Sequence, residues 1–255
     1  MRTRGRPCSV EVMSLLRSLA AKVPRDHLES DAAFHRRRRV VAGVSLAGAA
    51  LLGKSLSTEP DSKEFYGLTF GVAATWTSGA LASGPLHLGY EQTDDDGLRR
   101  PFITPVALGV GAFGAFYGAA LVARRIPLLN RALTDILAFA DQGSAPLVTL
   151  TTFANGAAEE FFFRGALYAA VGTDNPVAKS TAVYALATTA TRNPALVLAS
   201  GVMGTLFGLQ RRASGGIQAP MLTHLTWSGL MLRFMPPLFR RTGSDEVQQG
   251  SPPQV

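Results

Sequence analysis

Long apolar runs with few charges constrain the fold of this chain more than any other feature of its sequence. They cover residues 40–56, 65–83, 102–123, 146–171, 177–191, 194–210 and 217–232. A helix needs about 20 mostly apolar residues to cross a bilayer, with a range of roughly 17 to 25. The run 102–123 meets this length clearly, whereas the run 177–191 is short, contains Lys179 and also suits a buried core helix. The runs predict an all-α fold, a polytopic membrane helical bundle with about 6–8 transmembrane helices.

The charge distribution also favours a membrane protein. Charged residues make up 17% of the chain, against ~25% in typical soluble domains. Most arginines behind the net charge of +7 lie just outside the apolar runs, which is typical of contacts with anionic lipid headgroups. No aromatic-interleaved basic face accompanies them, so we expect membrane lipid as a partner and no nucleic acid.

Arginines next to the first run predict the orientation. The cluster Arg36 to Arg39 abuts that run, which favours a cytoplasmic N-terminus for an integral, multi-pass protein of the plasma membrane. Strict alternation from that end places Arg124, Arg125 and Arg131 outside. Either one early run does not cross, or the positive-inside bias fails here.

The order of these features predicts four segments. Residues 1–39 form a basic cytoplasmic lead with an amphipathic helix at 10–23, and residues 40–125 form packing helices. Residues 126–235 form the core that carries the chemistry, beginning with an interfacial helix at 126–140, and residues 236–255 form a disordered polar tail. The acidic stretch 91–96 reads as a solvated turn, because its three adjacent aspartates lack the alternating spacing of a calcium loop.

Two adjacent glutamates and an arginine lie inside the run 146–171, in the stretch AAEEFFFRG. Ionisable groups are costly in such a run unless they pair or perform a function. Glu160 and Arg164 are four residues apart, so on a helix they share a face and can form an ion pair. Glu159 lies about 100° round the helix, which leaves its carboxylate free to face something else.

His224 and Ser228 are also four residues apart and share a helix face. A carboxylate base, a histidine and a hydroxyl that stabilises an oxyanion suffice to hydrolyse a peptide bond with activated water. Glu159 is the better base, since Glu160 is expected to pair with Arg164.

A catalytic metal is less well supported. A zinc site takes three protein ligands and water, so Glu159, Glu160 and His224 would have to serve together. The other histidines lie outside the predicted membrane core, and the single cysteine, Cys8, excludes a cysteine-ligated cluster. We therefore expect no metal and no other cofactor.

Two stretches carry a resemblance to a known family: EEFFFRG and, later in the chain, SGGIQAPMLTHLTWS. Together they resemble the CPBP family of intramembrane proteases, which includes the CAAX prenyl proteases and the Abi-like, bacteriocin-processing relatives. The resemblance covers residues 146–232. The family's motif Glu-Glu-x-x-x-Arg is matched by Glu159, Glu160 and Arg164. It implies a membrane endopeptidase in which the first glutamate activates water.

The other two motifs differ from the family pattern. Phe-x-x-x-His aligns with Tyr184 to Thr188, which places a threonine where the histidine belongs, and a second candidate, residues 207–211, also lacks histidine. His-x-x-x-Asn is met by His224 with Ser228. Threonine cannot titrate near neutral pH, and loss of one oxyanion donor can cost about 100-fold to 1,000-fold in rate.

Three functions are compatible with these residues. The first is an endopeptidase acting on a membrane-associated peptide or protein, of CAAX type or another, with Glu159 as base, His224 and Ser228 as donors and Thr188 as an altered lining residue. The second is an impaired relative that binds a membrane partner, and the third is a transporter that uses the buried charges. The endopeptidase hypothesis predicts that Glu159, Thr188 and His224 converge on one cavity.

Overall fold

The computed structural model describes residues 25–92 and 97–239, and most of this part of the chain is helical. The helices are α1 (Asp31–Ser55), α2 (Lys63–Ser83), α3 (Ile103–Ala123), α4 (Pro127–Gln142), α5 (Ala145–Glu159), a π-helical segment (Glu160–Leu167), α6 (Tyr168–Ala170), α7 (Pro176–Thr188), a 3-10 turn (Thr189–Thr191), α8 (Pro194–Ser214), α9 (Gln218–Phe234) and α10 (Pro236–Phe239). The prediction of a helical fold is confirmed. The predicted helix at 10–23 lies outside the described residues.

The helices begin where the sequence offers start signals. The Ser30 hydroxyl accepts a hydrogen bond from the Ala33 amide at the start of α1, and Ser62 caps α2 in the same way through Phe65. Such caps satisfy amides that have no partner within the helix. Helices α4, α5, α7 and α8 each have proline in their first turn, where its missing N–H costs nothing.

The helix with the two glutamates lies at the centre of the bundle. α5 packs against α2 and α9, and the π-helical segment that continues it also packs against α2. The main core forms here, where the fully buried Trp76 ring lies 4.6 Å from that of Phe162 and 5.0 Å from that of Phe163. The phenylalanines after the glutamates therefore anchor them to α2.

One helix among the described residues, α3, is both long and apolar enough to cross a membrane. Only 11% of its most apolar 18-residue stretch is buried inside the protein, so most of this helix faces outward. It packs on one side against α9, where a Cβ on Gly109 would come within 2.8 Å of the Thr223 carbonyl oxygen. The predicted number of 6–8 crossings stays a prediction.

Arg37 corrects the interpretation of the basic cluster. Helix α1 starts at Asp31, so the four arginines lie on a helix and one of them turns inward. Arg37 is fully buried, with its Nε and Nη2 at 3.2 and 3.3 Å from the two carboxylate oxygens of Glu29. Its Nη1 donates to the Ser83 hydroxyl at 3.3 Å. This arginine joins α1 to α2 and is not a headgroup contact.

The first two residues of the acidic stretch form one strand of a two-stranded sheet. Strands β1 (Glu91–Gln92) and β2 (Leu98–Arg99) pair antiparallel, with Glu91 opposite Arg99. The residues between them, 93–96, lie outside the described part of the chain. The segment before β1 runs beside the loop that precedes α9, where a Cβ on Gly216 would meet the Gly89 nitrogen at 2.1 Å. The loop before α9 therefore needs glycine at this position.

The predicted disordered tail is wrong for its first four residues. Residues 236–239 form α10, in which Pro236 and Phe239 are buried. Phe239 packs in a cluster with Met235 and Ala120, and Leu133 and Leu137 of α4 lie against it. These apolar contacts order the chain beyond residue 235. Residues 240–255 lie outside the described residues.

Candidate active site

The two glutamates lie on either side of a change in helix type. α5 ends at Glu159, and the π-helical segment begins at Glu160. A π-helix has i→i+5 hydrogen bonds in place of i→i+4 and occurs frequently at functional sites. The two carboxylates point to different partners.

Glu160 is completely buried, and two side chains contact its carboxylate. Its Oε1 accepts a hydrogen bond from Nη1 of Arg164 at 3.1 Å, which is the ion pair expected from their spacing. The same oxygen lies 2.8 Å from Nδ1 of His224 on α9. Three groups from two helices thus meet at one carboxylate oxygen.

Arg164 is enclosed by aromatic rings. Its guanidinium carbon lies 4.7 Å from the centre of the Tyr184 ring and 4.9 Å from that of Phe207. A cation over an aromatic face is stabilised by the ring quadrupole, more so where water is excluded. These contacts bring α7 and α8 to the glutamate helix.

Glu159 is half-buried and faces a cavity of about 230 Å³. The cavity is mostly apolar. Besides Glu159, its polar lining residues are Ser55, Thr69, Thr151, Thr152 and Asn155. Its volume exceeds what a water molecule requires. The Oε2 atom of Glu159 accepts a hydrogen bond of 2.6 Å from the hydroxyl of Tyr184.

His224 is held by packing as well as by Glu160. Its ring stacks on Phe207 with centroids 4.8 Å apart and planes at 23°. A Cβ on Gly156 of α5 would lie 3.1 Å from Leu225 and 3.7 Å from Nε2 of His224. The glycine lets α9 approach α5 closely enough for the histidine to reach Glu160.

Residues 141–230 match the family model described as "Type II CAAX prenyl endopeptidase Rce1-like". This segment of the chain is similar to the Rce1-like family. The resemblance inferred from the glutamate and histidine motifs is thereby confirmed. Neither the curated proteins nor the solved structures contain a match to this chain.

The Rce1-like segment contains every predicted site residue. It runs from the end of α4 into α9, and so includes both glutamates, Arg164, Tyr184, Thr188, His224 and Ser228. The cavity beside Glu159 extends beyond it, because Leu52 of α1 and Phe65 of α2 also line that space. The Rce1-like family is a family of integral membrane proteases.

The predicted convergence of Glu159, Thr188 and His224 on one cavity is wrong, because neither His224 nor Thr188 lines the cavity beside Glu159. Thr188 lies within the Rce1-like segment, at the end of α7. It is buried, and its hydroxyl donates to the carbonyl oxygen of Tyr184 at 2.9 Å. A threonine on a helix commonly makes this bond to the preceding turn. The residue of α7 that contacts a glutamate is Tyr184, one turn earlier. Ser228 is buried one turn after His224 on α9.

Arg211 directly follows the apolar run 194–210, where the sequence predicted headgroup contacts for arginines, but it is buried. Its Nε donates to the carbonyl oxygen of Arg164 at 2.9 Å, and its Nη2 contacts Oδ2 of Asp26 at 2.6 Å. The assignment as a headgroup contact is wrong for this residue, because the carbonyl belongs to the π-helical segment inside the bundle. The only sequence feature that marks Arg211 is its position at the end of an apolar run. Arg212 has the same feature and is exposed, so the sequence does not show which of the two is buried.

Within residues 25–92 and 97–239, no group of three or more histidine, cysteine, aspartate or glutamate side chains is arranged to hold a metal ion. Glu160 and His224 are in contact, but the Glu160 oxygen that contacts His224 also accepts a hydrogen bond from Arg164.

Proposed function

We propose that this protein is an intramembrane endopeptidase in which Glu159 activates a water molecule to cleave a peptide bond of a membrane-associated substrate. The substrate is of CAAX type or another peptide held at the membrane. The observation that carries the proposal is the difference between the two glutamates. Glu159 faces a cavity, whereas Glu160 is fully buried between Arg164 and His224.

The cavity suits a hydrolytic base. The hydrogen bond from Tyr184 engages Oε2 of Glu159, and this is the one hydrogen bond to that carboxylate among the described residues. Its other oxygen is therefore the acceptor for a water proton. Positioned bases of this kind contribute about 100-fold to 10,000-fold in rate.

The reaction conserves atoms and charge. Glu159 takes a proton from water, the water oxygen bonds to the peptide carbonyl carbon, and the carbonyl electron pair moves to its oxygen. When the carbonyl re-forms, the C–N bond breaks and the amine nitrogen takes the proton from the Glu159 carboxyl. The carboxylate is then ready for the next water.

His224 and Ser228 are the proposed donors to the oxyanion. Nδ1 of His224 is engaged by Glu160, which leaves Nε2 as the ring atom that can reach a substrate. Preorganised donors of this type are each worth about 100-fold to 1,000-fold. Ser228, one turn along α9, is placed as the second donor because it follows the histidine on the same face.

The membrane location forms part of the proposal. Helix α3 supplies an outward-facing apolar span, and the family is one of integral membrane proteases. We place the protein in the plasma membrane with 6–8 crossings and its N-terminus in the cytoplasm. Cysteine labelling of single-cysteine variants from the two sides of sealed vesicles would test the orientation.

Cleavage in reconstituted vesicles tests the chemistry. Wild type, Glu159→Ala and Glu64→Ala are incubated with prenylated and unmodified membrane peptides, with and without a chelator. Glu64 is a matched control because its carboxylate is exposed in an ion pair with Lys54. We expect wild type and Glu64→Ala to cleave and Glu159→Ala to be inactive, with no effect of the chelator. Unchanged cleavage by Glu159→Ala would exclude the mechanism.

The second candidate is a relative that binds a membrane peptide without cleaving it. The observation in its favour is Thr188, whose hydroxyl is bonded to its own helix where the family motif has histidine. Photocrosslinking of the same peptides to wild type distinguishes the two functions. Crosslinking without any product in every peptide tested favours the binding protein.

A further inference from the structure

We infer that Tyr184 positions the carboxylate of Glu159, the proposed base. Tyr184 is the first residue of the second motif, so this motif contributes to catalysis through its first residue. The inference rests on the proposed function of Glu159. It concerns the residue at the Phe position of Phe-x-x-x-His, which is a tyrosine here. Phenylalanine at that position has no hydroxyl to offer a carboxylate.

The hydrogen bond between Tyr184 and Glu159 is short and specific. The phenol oxygen lies 2.6 Å from Oε2 of Glu159, although the residues are 25 positions apart and on different helices. Hydrogen bonds to charged acceptors are shorter and stronger than neutral ones. This bond fixes the rotation of the carboxylate and directs Oε1 toward the space where water would bind.

Packing fixes the Tyr184 ring independently of its hydroxyl. The ring centre lies 4.5 Å from that of Phe163 and 4.7 Å from the guanidinium carbon of Arg164. A Cβ on Gly204 of α8 would lie 3.2 Å from Cδ1 of Tyr184, so α8 also approaches the ring closely. Removal of the hydroxyl alone should therefore leave the ring in place.

Thr188 cannot perform this task in the observed arrangement. Its hydroxyl donates to the carbonyl oxygen of Tyr184, which directs it along its own helix. The tyrosine side chain is longer, and it reaches across to α5. The functional polar group of α7 thus lies one turn before the position of the family's histidine.

Tyr184 keeps its proton throughout the proposed reaction. The proton taken from water resides on Glu159 and passes to the leaving amine, while the phenol continues to donate its hydrogen bond to Oε2. Its effect is to hold the base at the correct angle. It should therefore change turnover and leave substrate affinity nearly unchanged.

Steady-state kinetics of Tyr184→Phe tests this role. We expect kcat to fall about 10-fold to 100-fold, which corresponds to one hydrogen bond to a charged group, with KM within about twofold. Tyr168→Phe is the matched control, because Tyr168 is a buried tyrosine of the same domain whose ring lies against Arg211. An unchanged kcat in Tyr184→Phe, or an equal loss in Tyr168→Phe, would overturn the inference.

Infrared difference spectroscopy separates this inference from the proposed function. The carboxyl band that disappears in Glu159→Gln belongs to Glu159, and it should shift in Tyr184→Phe but not in Tyr168→Phe. If wild type cleaves no peptide and the band shifts, the endopeptidase proposal fails while the positioning contact stands. A band that does not shift in Tyr184→Phe contradicts the inference whatever the activity.

Discussion

Nδ1 of His224 lies 2.8 Å from Oε1 of Glu160, and not against the neighbouring Glu159. The histidine therefore completes a buried group with Glu160 and Arg164, in which a single carboxylate oxygen receives both partners. This group joins α9 to the glutamate helix. Glu159 instead accepts a hydrogen bond from Tyr184 and faces the cavity, so the two adjacent acids have separate environments.

Glu160→Gln should destabilise the protein by about 3–5 kcal/mol, because it leaves the buried Arg164 without its counter-charge. Glu159→Gln should cost clearly less, since Glu159 is half-buried at a cavity. Thermal unfolding of both variants in detergent measures the difference. Equal losses for the two would show that Glu160 has no special structural role.

The sequence predicted the local part of this site and missed the part that depends on packing. Four-residue spacing was enough to pair Glu160 with Arg164. The contact between His224 and Glu160 joins residues 64 apart, and it depends on how closely Gly156 lets α9 approach α5. The change from α to π geometry between the two glutamates has no local sequence signal that we can name.

The same contrast applies to the arginine cluster. Positions Arg36 to Arg39 are chemically identical, and the sequence predicted the same headgroup contacts for all four. Which one becomes buried depends on the direction in which α1 packs on α2. That direction is set by contacts such as Trp76 against Gly48, which lie far from the cluster.

Gly48→Ala should destabilise the protein by about 1–3 kcal/mol through overpacking. A Cβ at this position would lie 2.3 Å from the Trp76 ring, which is fully buried. Gly43→Ala, on the same helix, is the control, because a Cβ there would meet no atom within 4 Å. The unfolding midpoints should fall for the first variant only; a fall for both would indicate a general effect of alanine in α1.

Arg37→Lys should cost about 1–3 kcal/mol, because a single ammonium cannot replace the fork that binds both oxygens of Glu29 and the Ser83 hydroxyl. Arg36→Lys is the matched control at an exposed position one residue earlier, and its effect should stay within about 0.5 kcal/mol. Chemical unfolding in detergent compares them. Similar midpoints for the two variants would contradict the structural role of Arg37.

Stability should decrease as the pH falls below about 6.5, through His27. Burial lowers the pKa of His27 from its ordinary value of 6.5, and Arg37, His87 and Arg211 lower it further, while Asp26 opposes them. In the window between 6.5 and the lowered pKa, the unfolded chain binds a proton that the folded chain does not, so acid favours unfolding. Above 6.5 the residue is neutral in both states, and its contribution is constant.

His27→Phe should flatten this pH dependence, because the side chain that takes up the proton on unfolding is gone. His35→Phe is the control, since His35 is exposed on α1 and its replacement should leave the profile unchanged. The measurement is the unfolding midpoint of each protein in detergent between pH 8 and pH 5. A wild-type midpoint that rises relative to His27→Phe as the pH falls would show that the folded state binds the proton more tightly, which is the opposite of what the burial of His27 requires.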